Sequence, residues 1–442
     1  MDMTHKVANA VAVLAASEMQ GDRLLRLEFP RQDGPAHTVM LANRLVAEEK
    51  LSGDFRFTVQ VLSDDACIPL SAVMGKMVTI SLVRDDGTLR YFNGYVFAFQ
   101  LVSTDGGFAF YEMVLKPWLA FLHLKQDCAT FQHLTVLEIC DKTFEHYLQR
   151  DFRHTVAEEL PRLTLAVQYN ESDHNHLHRR MEEAGLLYWY EHRYDGHTLW
   201  IAKDSRHAAP IDGAFTALPF QHEAGAMEHD GVHHWQPLRR TRPARIALGS
   251  YNFKHARPVW ASNASILRQG AVPQLEIYES TGAYGFRDVQ AGETLAQQRM
   301  HEMEAGGPEF TATGNARQAQ PGRWFTLDGH FSGGYRRPER GAAALPDDRS
   351  QRRYLILSVH HQASNNYQTG NGAPSHYTNT LQCAHLTTPW RPKRGMSSKA
   401  VQIYGLQTGL VVGPKGEEIH TDEYGRIRVQ FHWDRIGKQD EA

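Results

Sequence analysis

The segment Phe55-Arg56-Phe57-Thr58-Val59-Gln60-Val61 alternates apolar and polar side chains. Because successive side chains of a β-strand point to opposite faces, this pattern predicts a strand with one buried face and one face in water. Further runs of strand-forming residues lie around it, at 25–29, 78–82, 90–99 and 108–115. Asp85-Asp86-Gly87 supplies a turn between two of them, and Gly94 predicts a bulge or bend. Short strands with regular turns favour an antiparallel barrel or sandwich.

The middle of the chain has a mixed α and β pattern. A Thr-x-x-Glu capping box begins at Thr135 and predicts a helix that runs to about Gln149. A second helix is predicted from about Asp173 to Gly185, since glycine readily adopts the left-handed conformation that ends helices. Two strand patterns flank Asp195-Gly196 and predict a hairpin, at 186–191 and 197–202.

Strand patterns return after about residue 230. They occur at 245–249, 275–278, 324–327, 354–361 and 377–383, and nearer the end at 401–404, 409–412 and 426–434. One helix is predicted among them, at about 288–304. The segment 328–353 is rich in Gly, Pro and Arg and predicts a solvated loop. Residues 387–400 have few apolar side chains and are typical of a linker.

Composition and charge exclude several classes of protein. The 442 residues include 47 Lys and Arg against 50 Asp and Glu, a balance that argues against a nucleic-acid binder. No apolar run approaches the ~18–20 residues that span a bilayer. The longest run, Val114 to Leu124, is interrupted by Lys116 and Pro117. The apolar stretch Val7 to Ala16 follows a segment with too little positive charge for a signal peptide. We therefore expect no integral membrane segment and no signal peptide.

The cysteines indicate neither a metal ribbon nor a disulfide framework. There are four, at positions 67, 128, 140 and 383, and none forms a Cys-x-x-Cys pair. So few cysteines in a chain of this length favour a reducing compartment.

Histidine is abundant, with 25 residues, and its densest cluster is His174-Asn175-His176-Leu177-His178. On the predicted helix His174 and His178 share one face, whereas His176 points nearly opposite. Two histidines four residues apart can bind zinc if further ligands come from elsewhere in the chain. No His-Glu-x-x-His motif occurs, so we expect these histidines to line a helix face. A metal-dependent hydrolase that uses this helix remains an alternative.

Other groups of polar residues lack a catalytic pattern. Ser172, Asp173 and His174 are adjacent, and adjacent residues of a helix do not face one another, so a triad is not expected. The pairs Glu48-Glu49 and Glu182-Glu183 are expected on solvated faces. Neither a Gly-x-Ser-x-Gly elbow nor a Walker sequence occurs. We therefore predict no catalytic, cofactor-binding or metal site, and a protein that is not an enzyme.

Two basic stretches are candidates for docking to an acidic protein surface or to phosphates. The first consists of Arg239, Arg240, Arg242 and Arg245, and the second of Arg336, Arg337, Arg340, Arg349, Arg352 and Arg353. Partial pairing with Glu339, Asp347 and Asp348 favours a solvated face for the second stretch. For the first stretch both interpretations stay open.

Three separated strings resemble the VgrG family of type VI secretion, in the family's order. Residues 168–173 (Gln-Tyr-Asn-Glu-Ser-Asp) and 180–188 (Arg-Met-Glu-Glu-Ala-Gly-Leu-Leu-Tyr) resemble its Tyr-x-Glu-Ser-Asp, helix, Glu-Glu-x-Gly unit. Lys116-Pro117-Trp118-Leu119 is similar to its Arg-Pro-Trp-Leu, with Lys in place of the usual Arg. Residues 411–434 are similar to a family signature over their whole length. The resemblance extends from about residue 20 to the C-terminus.

This resemblance implies a mainly β chain with α/β insertions, in which two antiparallel β-barrel hub domains precede the beginning of an OB-fold. The implied segments are a lead-in at 1–19, a first hub barrel at 20–125, an α/β insertion at 126–229, a second hub barrel at 230–386 with an α/β insertion at about 255–305, a linker at 387–400 and an incomplete OB-fold of the spike neck at 401–442. Family members continue through a full OB-fold into a β-helical needle. An OB-fold needs five strands and about three are predicted here, so we expect this chain to stop inside that domain.

The resemblance also implies a mechanical role without a cofactor. The chain would form a homotrimer that adapts the hexameric Hcp tube to the spike, with baseplate proteins and effectors as further partners. It would stand in the cytoplasm at the assembled baseplate and then be exported by the contractile machine. A phage tail hub and an effector-carrying adaptor are the alternatives.

Overall fold

Antiparallel strands dominate the chain. A computed structural model describes residues 20–21, 23–104, 108–212, 216–221, 230–254, 256–267, 269–283, 285–307, 309–330, 352–365, 367, 375–417 and 419–435. The first strands are β1 (Leu25–Glu28), β2 (Met40–Lys50), β3 (Gly53–Ser63), β4 (Met77–Val83), β5 (Leu89–Thr104) and β6 (Ala109–Lys116). The middle elements are β7 (Gln126–Leu134), α1 (Val136–Phe144), β8 (Phe152–His154), β9 (Leu163–Ser172), α2 (Asp173–Glu183), β10 (Leu187–Arg193) and β11 (Gly196–Ala202).

The second half continues the same architecture. Its elements are β12 (Ala209–Pro210), β13 (Ala217–Pro219), β14 (Val232–Pro237), β15 (Arg245–Asn252), β16 (Arg257–Ala264), β17 (Glu276–Ala283), α3 (Val289–Glu304), β18 (Phe310–Gly314), β19 (Arg323–Asp328), β20 (Arg353–Ser364), β21 (His376–His385), β22 (Gly409–Val412) and β23 (Arg428–Phe431). Short 3-10 segments occur at Leu70–Ala72, Trp118–Leu124 and Ser205–His207. Among the described residues, no helix combines the length and apolar composition that crossing a membrane requires.

One large sheet joins the two strand-rich regions of the sequence. Its strand order is β1-β4-β5-β6-β3-β2-β20-β21-β18-β14, and β19 lies beside β20 and carries β12 and β13. The junction is the antiparallel pair of β2 and β20, in which Arg44 faces Ser364 and Lys50 faces Ser358. Four smaller sheets accompany it in the described part of the chain: β10-β11-β8, β16-β15-β17, β7-β9 and β22-β23. The prediction of a mainly β chain with α/β insertions is confirmed.

The first strands and the middle of the chain share one core. The side chains of Phe55, Phe57 and Phe92 are buried in the same cluster as Ile139 of α1 and Leu177 of α2. Aromatic stacking supports this packing, since the rings of Phe55 and Phe57 lie 4.4 Å apart in parallel planes. The middle region (β7–β11 with α1 and α2) is therefore packed onto the first strand group (β1–β6) rather than separate from it.

Both helices of the middle region begin as predicted, but the first ends early. Thr135 and Glu138 form the reciprocal hydrogen bonds of a capping box, and Gly185 adopts φ 66° after α2. The extension of α1 to residue 149 is wrong. The Thr143 hydroxyl donates to the Ile139 carbonyl, a bond that weakens helices, and the Tyr147 hydroxyl turns to the Asp173 carboxylate, 2.8 Å away.

Three strand predictions need correction. Gly94 pairs in regular register with Val78 and forms no bulge; a Cβ there would lie only 3.0–3.1 Å from atoms of β6 and Phe55. Residues 401–404 form no strand, and the strand predicted at 426–434 is shortened to β23.

Candidate functional site

A cluster of polar residues lies where the first strand group meets the middle region. We call it the Asp54 cluster; it contains Asp54, His123, His174, His178 and Tyr190. Asp54 is the second residue of β3, and His123 lies in the 3-10 segment after β6. The two remaining histidines lie on α2, whose start is fixed because the Ser172 hydroxyl accepts from the Asn175 amide at 3.2 Å. Tyr190 comes from β10.

The carboxylate of Asp54 is the centre of this cluster. Its Oδ2 atom lies 3.2 Å from His174 Nε2 and 3.9 Å from His123 Nε2. Its Oδ1 atom accepts from the Tyr190 hydroxyl at 3.0 Å. Burial raises the pKa of Asp54, but the contacts with His174 and its neighbours outweigh burial and lower the pKa to about 2. The carboxylate is therefore ionised at neutral pH.

His178 uses both of its ring nitrogens for other contacts. Nδ1 lies 2.7 Å from the His174 carbonyl, and Nε2 lies 2.7 Å from the Tyr188 hydroxyl. Burial lowers the pKa of His178 to about 3, so the ring is neutral, with Nδ1–H donating and Nε2 accepting. Because both ring nitrogens of His178 have other partners, this arrangement does not favour the alternative in which His174 and His178 together bind a metal. His174 instead faces Asp54 and His123, two residues for which the sequence gives no local signal.

His176 lies on the opposite side of α2, as predicted. It is fully buried and stacks on Phe131 with ring centroids 5.2 Å apart. Neither ring nitrogen has a hydrogen-bond partner among the described residues. Burying polar atoms without partners costs free energy, so His176 reduces the stability of this packing.

Replacing His176 by leucine is expected to raise the free energy of unfolding by roughly 1–2 kcal/mol, because two unpartnered nitrogens are removed at similar volume. The midpoint of urea unfolding measures the change. His178→Leu is the matched control on the same helix. It should lower the midpoint, because it leaves the Tyr188 hydroxyl and the His174 carbonyl without their partner. A fall in the midpoint of His176→Leu would contradict the prediction.

Ser172, Asp173 and His174 do not converge, as predicted. The Ser172 hydroxyl caps α2, and Asp173 accepts from the Gln168 amide at 2.8 Å and from Tyr147. His174 points to Asp54 instead. The three side chains therefore face three different groups.

Glu49 is buried, and its predicted place on a solvated face is wrong; only Glu48 is exposed there. Glu49 Oε2 lies 2.5 Å from the guanidinium of Arg90 and 2.9 Å from His361 Nε2. Arg90 also donates to the carbonyls of Arg317 and Ala319. Burial raises the pKa of Glu49, but Arg90 and the neighbouring histidines lower it well below the usual range. Glu49 and Arg90 both belong to the first strand group. The bonds of Glu49 to His361 and of Arg90 to the two carbonyls connect this group to the second strand group (β12–β14 and β18–β21).

Glu182 is also buried rather than solvated, whereas Glu183 is exposed. Its carboxylate accepts from the amides of Gly395 and Ser397, each at 2.7 Å, and from the Ser398 hydroxyl at 2.6 Å. The Asn175 side chain accepts from the Lys399 amide at 2.6 Å. The segment predicted as a linker is therefore held against α2 by specific hydrogen bonds.

The two basic stretches have different surroundings. Arg239, Arg240 and Arg242 line a cleft of about 310 Å³ together with Glu309, whereas Arg245 lies 3.4 Å from Glu276. In the second stretch, the guanidinium of Arg353 lies over the Trp324 ring, 4.7 Å from its centroid. Four arginines of that stretch lie outside the described residues: Arg336, Arg337, Arg340 and Arg349.

The β22–β23 hairpin exposes many apolar side chains. Within the described residues its two strands pair only with each other. Leu410 is 45% exposed, Val411 63% and Val429 40%. Further exposed apolar residues lie within or near these strands in the sequence: Ile403, Tyr404, Leu406, Ile419, Tyr424, Ile427 and Phe431. A concentration of exposed apolar side chains in one segment is typical of an interaction site.

Comparison with known proteins gives a consistent result. The family model of the phage tail baseplate hub (GPD) matches residues 48–367. The type VI secretion system spike protein VgrG1a of Pseudomonas aeruginosa is 30% identical over 426 residues, which are 96% of this chain and 62% of that protein. VgrG1b of the same organism is 28% identical over 425 residues, which are 96% of this chain and 54% of that protein. The chain thus spans little more than half the length of these relatives.

A solved structure shares the fold. The E. coli c3393 protein is described as a component of the type VI secretion system with structural similarity to the T4 bacteriophage tail proteins gp27 and gp5. It superimposes with a TM-score of 0.62 at 17% identity and covers 95% of this chain and 90% of its own. The chain therefore belongs to the phage tail baseplate hub family and is homologous to the VgrG spike proteins of type VI secretion.

Proposed function

We propose that this chain is the hub and spike base of a type VI secretion machine. In this role it forms a homotrimer that adapts the hexameric Hcp tube to a threefold spike, and it helps to deliver effectors by mechanical puncture. The similarity to named spike proteins over 96% of the chain supports the proposal. The protein stands in the cytoplasm at the baseplate and is then exported. The work is mechanical and does not require an enzymatic step by this chain.

The exposed apolar side chains of the β22–β23 hairpin are the observation that supports a trimer. An isolated two-stranded hairpin is only marginally stable in water, and its open edges favour pairing with another chain. The strand β22 (Gly409–Val412) contains no charged residue, so copies of it can meet at a symmetry axis without repulsion. We therefore assign this surface to the same segments of two further copies of the chain.

The sheet topology supports the role of symmetry adapter. Each chain holds two antiparallel strand groups joined through β2 and β20. Three chains then supply six groups, which matches the number of subunits in a hexameric ring. A phage tail hub is the second candidate, because the matching family model describes a phage tail baseplate hub.

Light scattering of the purified protein tests the trimer. The expected mass is about three times the chain mass of 50.1 kDa. Val411→Asp places a charge on the apolar hairpin and should yield the monomer, whereas Lys415→Ala in the neighbouring turn should stay trimeric. A parent protein with the mass of a monomer would contradict the proposal.

Secretion assays separate the two candidate functions. Deletion of the gene in the producing bacterium should remove Hcp from the culture medium, and the parent gene should restore it. A binding assay with purified Hcp rings tests the direct contact. Normal Hcp release from the deletion strain would favour the phage tail hub.

A further inference from the structure

The donor atoms of the Asp54 cluster lie close enough together to bind one metal ion. Asp54 Oδ2 lies 3.2 Å from His174 Nε2 and 3.9 Å from His123 Nε2. These three ligand atoms all lie within 4.8 Å of one another. In a tetrahedral zinc site with bonds of ~2.0–2.1 Å, neighbouring ligand atoms are about 3.3 Å apart. The separation of Asp54 Oδ2 and His174 Nε2 matches this value, and the distances to His123 Nε2 can shorten to it when the His123 ring turns out of its stack on His174.

We infer that Asp54, His123 and His174 form a binding site for Zn²⁺, with a fourth position open to water. Two imidazoles and one carboxylate are ligands that zinc prefers, and three protein ligands with an open position are a recurrent arrangement. The inference goes beyond the hub function and does not depend on it, because the site lies within a single chain.

The surroundings of the ligands favour metal binding. The Tyr190 hydroxyl holds Asp54 Oδ1 at 3.0 Å and leaves Oδ2 for the ion. An outer hydrogen bond of this kind orients a metal-binding carboxylate.

His174 is buried and His123 is half exposed. One ligand is therefore held in place while the other can move to meet the ion. The His174 side chain is only 7% exposed and is fixed between the rings of His123 and His178, with centroids 3.6 and 3.8 Å away. The His123 side chain is 53% exposed. Its ring can therefore turn out of the stack and direct its lone pair at the ion, and zinc can reach the site from solvent.

Bound zinc would connect three elements that are far apart in sequence. Asp54 belongs to β3, His123 to the 3-10 segment after β6, and His174 to α2. Asp54 and His174 are 120 positions apart. A metal bound only by the folded chain stabilises that chain by an amount that grows with the logarithm of its affinity. Bound zinc would therefore stabilise the packing of the middle region against the first strand group.

Zinc retention by the purified full chain tests the inference. The protein is stripped with a chelator, incubated with one equivalent of Zn²⁺ and desalted, and its zinc is measured by mass spectrometry. About one zinc per chain is expected for the parent and for His146→Ala, an exposed histidine elsewhere. Asp54→Asn and His123→Ala should retain at least tenfold less. His123→Ala alters a half-exposed side chain and is the variant expected to fold normally.

Thermal unfolding and cobalt spectra provide independent readouts. Added Zn²⁺ should raise the unfolding temperature of the parent and leave that of His123→Ala unchanged. Co²⁺ should give the visible absorption of a tetrahedral site in the parent and in His146→Ala only. A parent that retains no zinc would overturn the inference, and so would equal retention by the parent, Asp54→Asn and His123→Ala.

Discussion

Replacing Glu49 by alanine is expected to lower the free energy of unfolding by about 3–5 kcal/mol, the usual cost of breaking a buried ion pair. The guanidinium of Arg90 lies 2.5 Å from Glu49, and both side chains are about 95% buried. Without the carboxylate, Arg90 remains as an uncompensated buried charge, and His361 loses the acceptor 2.9 Å from its Nε2. The loss should weaken the contact between the two strand groups.

Urea unfolding of the purified protein measures this effect through the midpoint of the transition. Glu48→Ala is the matched control, because Glu48 is the exposed neighbour and surface substitutions change stability by about 0.5 kcal/mol or less. The double variant Glu49→Met, Arg90→Met should regain most of the loss, since apolar residues of similar volume can replace a buried ion pair. Equal midpoints for Glu49→Ala and Glu48→Ala would show that the Glu49–Arg90 ion pair does not stabilise the folded protein.

Replacing Glu182 by glutamine is expected to release the segment 395–399 from α2. The carboxylate accepts three hydrogen bonds from this segment, and bonds to a charged group contribute roughly 1.5–3 kcal/mol each. Glutamine has one oxygen and presents an amide donor to the remaining donors, so at least one bond is lost. Because about 1.4 kcal/mol corresponds to a factor of ten, the open population should rise tenfold or more.

Limited trypsin digestion measures this opening. Arg394 and Lys399 lie at the two ends of the segment, and cleavage of a transiently opened region follows its open population. Cleavage after these residues should accelerate about tenfold in Glu182→Gln, in line with one lost hydrogen bond. Glu183→Gln is the matched control, because its side chain is exposed and pairs with Arg180 on the same helix. Equal cleavage rates in the two variants would contradict the assigned role of Glu182.

Several features of this protein could be predicted because they depend on local sequence. The alternation at residues 55–61 predicts β3, and the capping box at Thr135 predicts the start of α1. The spacing of the α2 histidines predicts that His176 points away from His174 and His178, because helical geometry relates residues only a few positions apart. The end of α1 could not be predicted, since it depends on the contact of Tyr147 with Asp173 across the fold.

The environments of the charged residues could not be predicted. Glu48 and Glu49 have the same side chain and adjacent positions, yet only Glu49 is buried. Its partners Arg90 and His361 lie 41 and 312 positions away. Glu182 likewise meets residues more than 210 positions away, and no periodicity of the sequence relates residues over such distances. The same holds for Asp54, which joins His123 and His174 only when three elements pack together.

The sequence by itself determined the class of the fold, the start of its helices and the family to which the chain belongs, because strand alternation, helix caps and family motifs are all encoded within short segments. Only the tertiary structure decided that the two strand groups join through β2 and β20, that Glu49 and Glu182 are buried, and that Asp54 lies against His123 and His174. The physical reason is that burial and electrostatic partners arise from packing between distant segments. A residue's own neighbours in sequence carry no record of that packing.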